Sequence, residues 1–166
     1  MPIVLVGTLD TKGVEFLFVR ELLHKQGLQT LVIDAGVLGP AFFAPDVARD
    51  EVFAAWSARI RELAGCPNVH IKLGGLGMKL TGFTFFENDM PPSSEDLEKA
   101  WRPYIETCIN AFGPQRSMFE SNFPVDKGMC SYANLWNAFK RVAESYSQDE
   151  KNAMFHNTAL KFYRLW

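Results

Sequence analysis

The sequence predicts an α/β fold built from parallel βα units. Two short runs, PIVLVG (residues 2–7) and QTLVIDAG (residues 29–36), are rich in Val, Ile and Leu and end in glycine. This composition is typical of strands that are buried on both faces of a parallel sheet. The segments between and after these runs carry apolar side chains at helical spacing. Over the 166 residues, strand-like apolar runs alternate with segments of helical spacing and give four βα units.

The first two strands and the segment between them predict a βαβ unit. That segment has a helical period and stops at Gly27, a residue typical of helix C-caps. Four apolar side chains fall on one face of the predicted helix, which we expect to be buried: Val14, Leu17, Phe18 and Leu22.

The rest of the chain continues the alternation, with one irregular stretch. Residues 74–92 contain four glycines and show no period, so they predict either a surface insert or a lid over a site at the strand ends. The other predicted elements are a helix over residues 50–65, strands over 68–75 and 116–123, a helix over 94–113 that is kinked or restarted at Pro103, and two last helices over 132–146 and 148–165.

Length and composition predict one soluble, cytoplasmic domain over residues 1–166. The apolar share is 48%, and no segment approaches the uninterrupted apolar run of about 20 residues that spans a membrane. Three widely spaced cysteines (Cys66, Cys108 and Cys130) are typical of reduced thiols. The net charge of -2, without a basic run, argues against a nucleic-acid partner, so we expect a small-molecule substrate.

The turn after the first strand, GTLDTKG, is a candidate anion site. Glycine lets a ligand approach the backbone, and the N–H groups of a helix start attract anions. Its spacing matches neither GxxxxGK[ST] nor GxGxxG, and Thr or Asp here can equally serve as a helix N-cap. The candidate ligand-binding residues of this turn are Gly7, Thr8, Thr11 and Gly13, with Lys12 as the cation.

Residues 1–48 resemble the start of the virus-resistance-type ATP-binding protein family. The resemblance rests on GTLDTKG at the end of the first strand and on DAGVLGP after the second. It implies a nucleotide-binding βαβ segment with ATP as ligand and adds Asp34 and Gly36 to the candidate ligand-binding residues. The resemblance covers only the first two strands of a longer domain.

Residues 50–166 resemble the C-terminal part of the amidohydrolase-2 family. The resemblance rests on AWSARIRELAGCPNVHIKLGGLGM, WRPYIETCINAFGPQRSMFESNFPVDK and the helical segment that begins at LWNAFKRV. It implies hydrolases and lactonases on a (βα)₈ barrel, with NVHIKLGG as the seventh strand and MFESNFPVD as the eighth. The chain therefore resembles a chimera, natural or constructed, of two fragments.

The chain departs from the metal site that this second resemblance implies. The family carries a His-x-His pair on the first barrel strand and a G-S-D motif on the eighth. No His-x-His occurs here, and Glu120, Ser121 and Asn122 stand in place of G-S-D. Because an Asn is neither a general base nor an anionic zinc ligand, the inherited hydrolase centre is incomplete.

Four βα units allow two architectures. One is an open, doubly wound four-stranded sheet, and the other is a half (βα)₈ barrel that closes as a homodimer. Both place the functional residues at the carboxyl ends of the strands, where we expect the acidic side chains, Lys12 and Lys72 to converge.

This convergence predicts a hydrolase acting on an ester, lactone or phosphoester. The alternative is a nucleotide- or anion-binding module without catalysis that uses the GTLDTKG turn. The acidic side chains would supply a general base or the oxygen ligands of a zinc or manganese ion, although Asp10, Asp34 and Asp126 are also typical cap or turn residues. The candidate catalytic residues are Asp10, Lys12, Glu120 and Asp126, the candidate metal ligands are Asp10, Asp34, Glu120 and Asp126, and Asn122 joins the ligand-binding set.

Overall fold

The computed structural model describes residues 1–36, 39–78 and 81–165. They group into two compact units, which we call the first unit (Met1–Trp56 with Gly82–Thr84) and the second unit (Ser57–Thr81 with Phe85–Trp166). The organisation of the whole chain as one domain stays a prediction. Within the described residues, no helix is both long enough and apolar enough to cross a bilayer.

The first unit confirms the predicted βαβ unit. Strand β1 (Ile3–Gly7) leads through helix α1 (Leu9–Lys25) into strand β2 (Thr30–Asp34), and the two strands pair in parallel. The register runs from Ile3 opposite Thr30 to Gly7 opposite Asp34. Helix α2 (Arg49–Ala64) begins in this unit and continues into the second one.

The prediction for the buried face of α1 was wrong for three of its four residues, since only Leu17 is partly buried. Val14, Phe18 and Leu22 are exposed, whereas Leu9 is buried. The helix turns another row inwards because the ring of Phe16 lies against Gly7 at the end of β1. The row that contains Phe18 therefore faces away from the sheet.

The described strands do not form one four-stranded sheet. They form two separate parallel pairs, β1 with β2 and β3 (Ile71–Leu73) with β4 (Ser117–Phe119). At the outer edge of β2, Val47 forms a bridge with Ile33 and accepts a hydrogen bond from the N–H of Asp34. Because this segment occupies the edge, the sheet of the first unit ends there.

The second unit packs helices against the β3–β4 pair. Its core side chains are large and almost fully buried, with Trp101 of α3 in contact with Phe139 of α4. Pro103 lies inside α3, which runs as one helix rather than restarting. The helices are α3 (Ser94–Phe112), α4 (Tyr132–Val142), α5 (Gln148–Asn152) and α6 (Thr158–Phe162), with a π-helical turn over Ala153–Asn157 between the last two.

Three of these helices begin at capping serines. The side chains of Ser93, Ser131 and Ser147 each accept a hydrogen bond from the backbone N–H three residues later. Ser93 and Ser147 belong to full capping boxes, a device that satisfies two N–H groups of the first turn. The sequence thus fixes the starts of these helices locally.

The predicted long loop of residues 74–92 has structure of its own. It contains a 3₁₀ turn over Phe85–Glu87, and the ring of Phe85 is buried in the second unit. Lys79 and Leu80, which belong to the predicted loop, lie outside the described residues. Its function as a lid stays a prediction.

Candidate active site

A charged pair lies at the carboxyl ends of β3 and β4. Lys72 is opposite Met118 in the register, and Glu120 directly follows β4. The Nζ atom of Lys72 is 2.8 Å from Oε2 of Glu120. This hydrogen bond is the main reason why the pKa of Lys72 is raised, so the ammonium stays charged. The pair brings a proton acceptor and a cation to the edge where parallel α/β folds carry their sites.

A second carboxylate, that of Asp126, lies beneath the loops that follow the two strands. Its side chain is 0% exposed. Oδ2 accepts a hydrogen bond of 3.1 Å from the N–H of Gly77, and Oδ1 accepts one of 2.7 Å from Nδ2 of Asn122. Asp126 therefore ties the loop after β3 to the loop after β4.

The environment of Asp126 raises its pKa. Burial is the main cause, and the negative charge of Glu120 acts in the same direction. The hydrogen bonds from Asn122 and Gly77 act in the opposite direction because they favour the carboxylate. Asp126 thus has no surface in solvent, and its catalytic role stays a prediction.

Close approach of the backbone explains the glycine at position 77. A Cβ atom there would lie 2.7 Å from Cγ of Asp126, which is much shorter than a van der Waals contact allows. Asn122, which holds the other oxygen of Asp126, has a φ of 51°. Asn is one of the few residues that adopt this left-handed conformation readily.

A cavity of about 540 Å³ opens in the second unit between the 74–92 loop and the loop after β4. This volume is within the usual range for small-molecule sites. The rings of Phe123 and Tyr132 meet edge to face in its wall, with centroids 5.1 Å apart. Asp89 and Lys127 are the charged residues of its lining, which also includes Phe85, Phe86, Asn88, Pro91, Met129, Cys130 and Ser131.

The cysteines are expected to differ in reactivity. Burial raises the pKa of Cys108 and of Cys130 to about 11, whereas Cys66 is exposed. The thiolate is the form that reacts with iodoacetamide. At about pH 8 we therefore expect Cys66 to be alkylated first, at a rate at least about tenfold higher than the rates of Cys108 and Cys130. Mass spectrometry of tryptic peptides after timed alkylation measures this. Equal rates for all three cysteines in folded protein would contradict the burial.

In the first unit, carboxylates accept hydrogen bonds from one N–H group of the GTLDTKG turn and from two N–H groups of the loop after β2. Oδ1 of Asp34 accepts hydrogen bonds from the N–H groups of Leu9 (3.1 Å) and Gly36 (2.9 Å). Oδ2 of Asp10 accepts one from Gly39 (3.0 Å). A phosphate bound at the N–H of Leu9 would have to displace the Asp34 carboxylate and would be repelled by its charge.

A small cavity of the first unit lies between the loop after β2 and the start of α2. It measures about 160 Å³ and is lined by Asp34, Gly39 and Arg49 among others. Ligand sites usually hold about 300 Å³ or more. The side chains of Thr8 and Thr11 are hydrogen-bonded to each other at 2.8 Å. The lining of this cavity does not include Gly7, Thr8, Thr11 or Gly13, so the alternative of an anion-binding or ATP-binding module at these residues stays a prediction.

The structure brings the predicted site residues together within each unit. In the second unit Asn122 and Asp126 are in contact, and Glu120 lies just before them on the same loop. In the first unit a Cβ on Gly36 would lie 2.6 Å from Oδ1 of Asp10, so these residues are neighbours too. The predicted meeting of the two sets, with Lys12 facing the second unit, stays a prediction.

Sequence reasoning missed one member of the site in the second unit and the role of another. It expected Lys72 to converge with the acidic side chains at the strand ends but gave it no catalytic role, and the strand register brings Glu120, 48 residues away, beside it. It also missed Gly77, whose N–H holds Asp126. The lack of a period around Gly77 marked a loop without indicating which N–H groups point inwards.

The described residues do not fit a metal centre. Within residues 1–36, 39–78 and 81–165, no three His, Cys, Asp or Glu side chains are grouped so that they could hold an ion. His24 is hydrogen-bonded to Thr30, His156 to Asn157, and the ring of His70 packs on Phe162. The metal role of Asp10, Asp34, Glu120 and Asp126 thus stays a prediction from the sequence.

Comparison with family models confirms that the chain carries two family segments. Residues 42–165 match the model of the Amidohydro_2 family, described as amidohydrolase. Residues 1–69 match the model of the N-terminal domain of an uncharacterised family, UPF0261. The two matches overlap over residues 42–69, and neither description mentions ATP or manganese.

Individual relatives extend the same similarity. The uncharacterized protein y4mH of Sinorhizobium fredii is 43% identical over 113 residues, which are 68% of this chain and 34% of that protein. L-fucono-1,5-lactonase of Burkholderia multivorans is 35% identical over 137 residues, which are 81% of this chain and 43% of that protein.

A solved structure shares the fold of this segment. It is a crystal structure of an amidohydrolase from Burkholderia multivorans with bound zinc, and it is 34% identical with a TM-score of 0.57. The similarity covers 69% of this chain and 38% of that one. The chain thus spans less than half of the length of each of these relatives.

Proposed function

This chain belongs to the amidohydrolase family, and on that premise we propose that it hydrolyses lactones at the Lys72–Glu120 pair. The name of one relative, L-fucono-1,5-lactonase, supports a lactone rather than a phosphoester as the substrate. Since the chain spans less than half of that relative, the activity of the whole relative does not transfer by similarity alone. The proposal depends on the site in the second unit.

The observation that carries the proposal is the 2.8 Å contact between Nζ of Lys72 and Oε2 of Glu120. Both side chains keep part of their surface in solvent, so water and a small substrate can reach them. Glu120 would act as general base and take a proton from the attacking water. The charged ammonium of Lys72 would stabilise the oxyanion that forms on the lactone carbonyl.

The proposed reaction conserves atoms and charge. The water oxygen forms a bond to the carbonyl carbon while one proton moves to Glu120. The tetrahedral intermediate then breaks the bond between this carbon and the ring oxygen. The proton on Glu120 moves to the leaving alkoxide, which gives the open-chain hydroxy acid and restores the carboxylate.

Asp126 and the 540 Å³ cavity would support this chemistry without taking part in it. Asp126 holds the two loops beside Glu120 in place through Gly77 and Asn122. The lining of the cavity includes Phe123, on the same loop as Glu120, but neither Glu120 nor Lys72. The cavity would bind the body of the lactone, with aromatic walls for its apolar face. Asp126 is then a positioning residue rather than a group that contacts the substrate.

A divalent metal ion is the cofactor that the zinc-bound relative suggests, but this chain lacks the His-x-His pair that the family resemblance implies. The described residues do not group into a metal site either. The proposed mechanism therefore contains no step at a metal. We expect any lactone hydrolysis by the purified chain to survive dialysis against EDTA.

The test is to offer the protein a panel of five- and six-membered lactones. Hydrolysis releases a proton from each hydroxy acid, and a pH indicator measures this release. Glu120→Gln should lower kcat/KM by about 100-fold or more, because it removes the base and keeps the shape. Lys72→Met should lower it about 10- to 100-fold through loss of the cation. The matched control is Glu62→Gln, which removes a carboxylate from a surface ion pair with Arg59.

Three outcomes would contradict the proposal. One is wild-type protein that hydrolyses none of the lactones. Another is Glu120→Gln protein that is as active as the Glu62→Gln control. The third is activity that disappears with EDTA and returns with zinc, which would place the chemistry at a metal instead.

A further inference from the structure

Strand β1 is the edge of the sheet in the first unit. Within the described residues, this sheet consists of β1 and β2 alone. The other edge of β2 is taken by Val47, which pairs with Ile33. One side of β1 therefore has no strand partner within the residues that the structure describes.

The backbone of β1 shows which groups point to this open edge. The N–H of Ile3 is bonded to Gln29, and the carbonyl of Gly7 accepts from Ala35, so both point towards β2. In a strand the N–H and C=O groups of one residue point to the same side, and successive residues alternate. Val4 and Val6 therefore direct their N–H and C=O groups to the open edge.

The side chains of this edge are apolar and uncharged. Val4 is 53% exposed and Val6 is 58% exposed. They lie on the sheet face opposite to Leu5 and Gly7, since the ring of Phe16 in α1 lies against Gly7. Proteins usually protect edge strands with charges, prolines or bulges. Residues 3–7, IVLVG, contain no charged residue and no proline, although Pro2 directly precedes them.

We propose that β1 pairs antiparallel with β1 of a second copy of this chain, about a twofold axis at Leu5. In this register Val4 of each copy lies opposite Val6 of the other copy. These are the residues whose N–H and C=O groups point outwards, so each Val4–Val6 pair exchanges two hydrogen bonds. The two Leu5 residues face each other as the non-hydrogen-bonded pair.

The sequence Val-Leu-Val is the same in both directions, which makes this edge complementary to itself. β-branched side chains directly opposite each other stabilise an antiparallel pair. The result is a four-stranded sheet in the order β2, β1, β1, β2. Because Val47 occupies the outer edge of each β2, the assembly ends at two copies.

The contact area sets the expected strength. Two five-residue strands paired edge to edge bury less than the roughly 800 Å² per partner of a standard stable interface. We therefore expect a reversible dimer with a dissociation constant in the range of about 10 µM to about 1 mM, rather than an obligate one.

Sedimentation equilibrium of the full chain, from about 5 µM to about 1 mM, tests the proposal. Wild-type protein should change from monomer to dimer over this range. The double variant Val4→Lys with Val6→Lys places lysines opposite each other across the interface and should raise the dissociation constant at least about tenfold. Both positions are exposed, so the fold should tolerate the change.

The matched control is Val14→Lys with Phe18→Lys, which converts two exposed apolar residues of α1 to lysine. It should leave the dissociation constant within about twofold if the interface is β1. A third variant, Val4→Pro, removes one outward N–H without touching the hydrogen bonds to β2 and should weaken the dimer. Far-UV circular dichroism checks that every variant is folded.

Four results would overturn the proposal. Wild-type protein that stays monomeric at about 1 mM excludes the pairing at relevant strength. If the Val4→Lys with Val6→Lys variant still forms the dimer, the edge of β1 is not the interface. A dimer that the α1 lysines dissociate assigns the interface to α1. Association beyond two copies would contradict the closed four-stranded sheet.

Discussion

Replacing Phe139 by alanine should lower the free energy of unfolding of the second unit by about 3–5 kcal/mol. Phe139 is 1% exposed, and its ring lies 4.9 Å from that of Phe119, 5.6 Å from Trp136 and 6.0 Å from Trp101. Truncation therefore removes the centre of an aromatic cluster that joins β4, α3 and α4. The loss combines buried apolar area with the cavity that remains.

Urea unfolding followed by tryptophan fluorescence measures this change, with the midpoint and the slope fitted together. The matched control is Phe18→Ala, which removes the same side chain from a position that is 66% exposed. Phe18→Ala should change the stability by less than about 0.5 kcal/mol. Similar losses for the two variants would mean that Phe139 is not at the core of the unit.

The second unit follows the sequence closely because its signals are local and unambiguous. Helix α3 starts at the capping box of Ser93 and Asp96, and the one apolar face of α4 becomes its buried face. The amidohydrolase resemblance, which rests on the segments around β3 and β4, was confirmed by the family match. There, local pattern and tertiary packing agree.

Helix α1 shows why the first unit was harder to predict. Apolar residues occur all round this helix, so the period alone does not select the inward row. The structure buries the row that starts at Leu9 and leaves Phe18 outside, because Phe16 fits against Gly7. Strand β1 was expected to be buried on both faces, but an apolar run does not indicate how many neighbours the strand will have.

The candidate site also has a part that the sequence predicted and a part that it did not. The sequence placed Glu120, Asn122 and Asp126 on the loop after β4, because chain proximity needs no knowledge of packing. The pairing of Lys72 with Glu120 depends on strand register, and the bond from Gly77 to Asp126 depends on the path of an irregular loop. The sequence placed Lys72 and the acidic side chains at the same strand ends, but it did not assign individual contacts between residues nearly 50 positions apart.

The different exposure of the two carboxylates determines what each can do in the proposed reaction. Glu120 keeps part of its surface in solvent, which suits a base that must reach water. Asp126 has no exposed surface and both of its oxygens accept hydrogen bonds from the protein. The roles of base and of structural anchor can therefore be separated by mutation.

Replacing Asp126 by alanine should lower the free energy of unfolding by about 2–4 kcal/mol, because it leaves the buried N–H of Gly77 and the half-buried amide of Asn122 without this acceptor. If the folded variant hydrolyses lactones, we expect a raised KM from looser loops and a kcat within about threefold of wild type. Urea unfolding and steady-state kinetics on the same preparation measure both effects.

Asp126→Asn is the conservative comparison. It keeps the shape and one oxygen acceptor, and as a neutral group it avoids the cost of burying a charge, the main reason why the pKa of Asp126 is raised. We therefore expect it to lose less than half of the stability that the alanine variant loses, and to restore the wild-type KM in part. An Asp126→Asn protein as stable as wild type but about 100-fold lower in kcat would instead make Asp126 a catalytic residue.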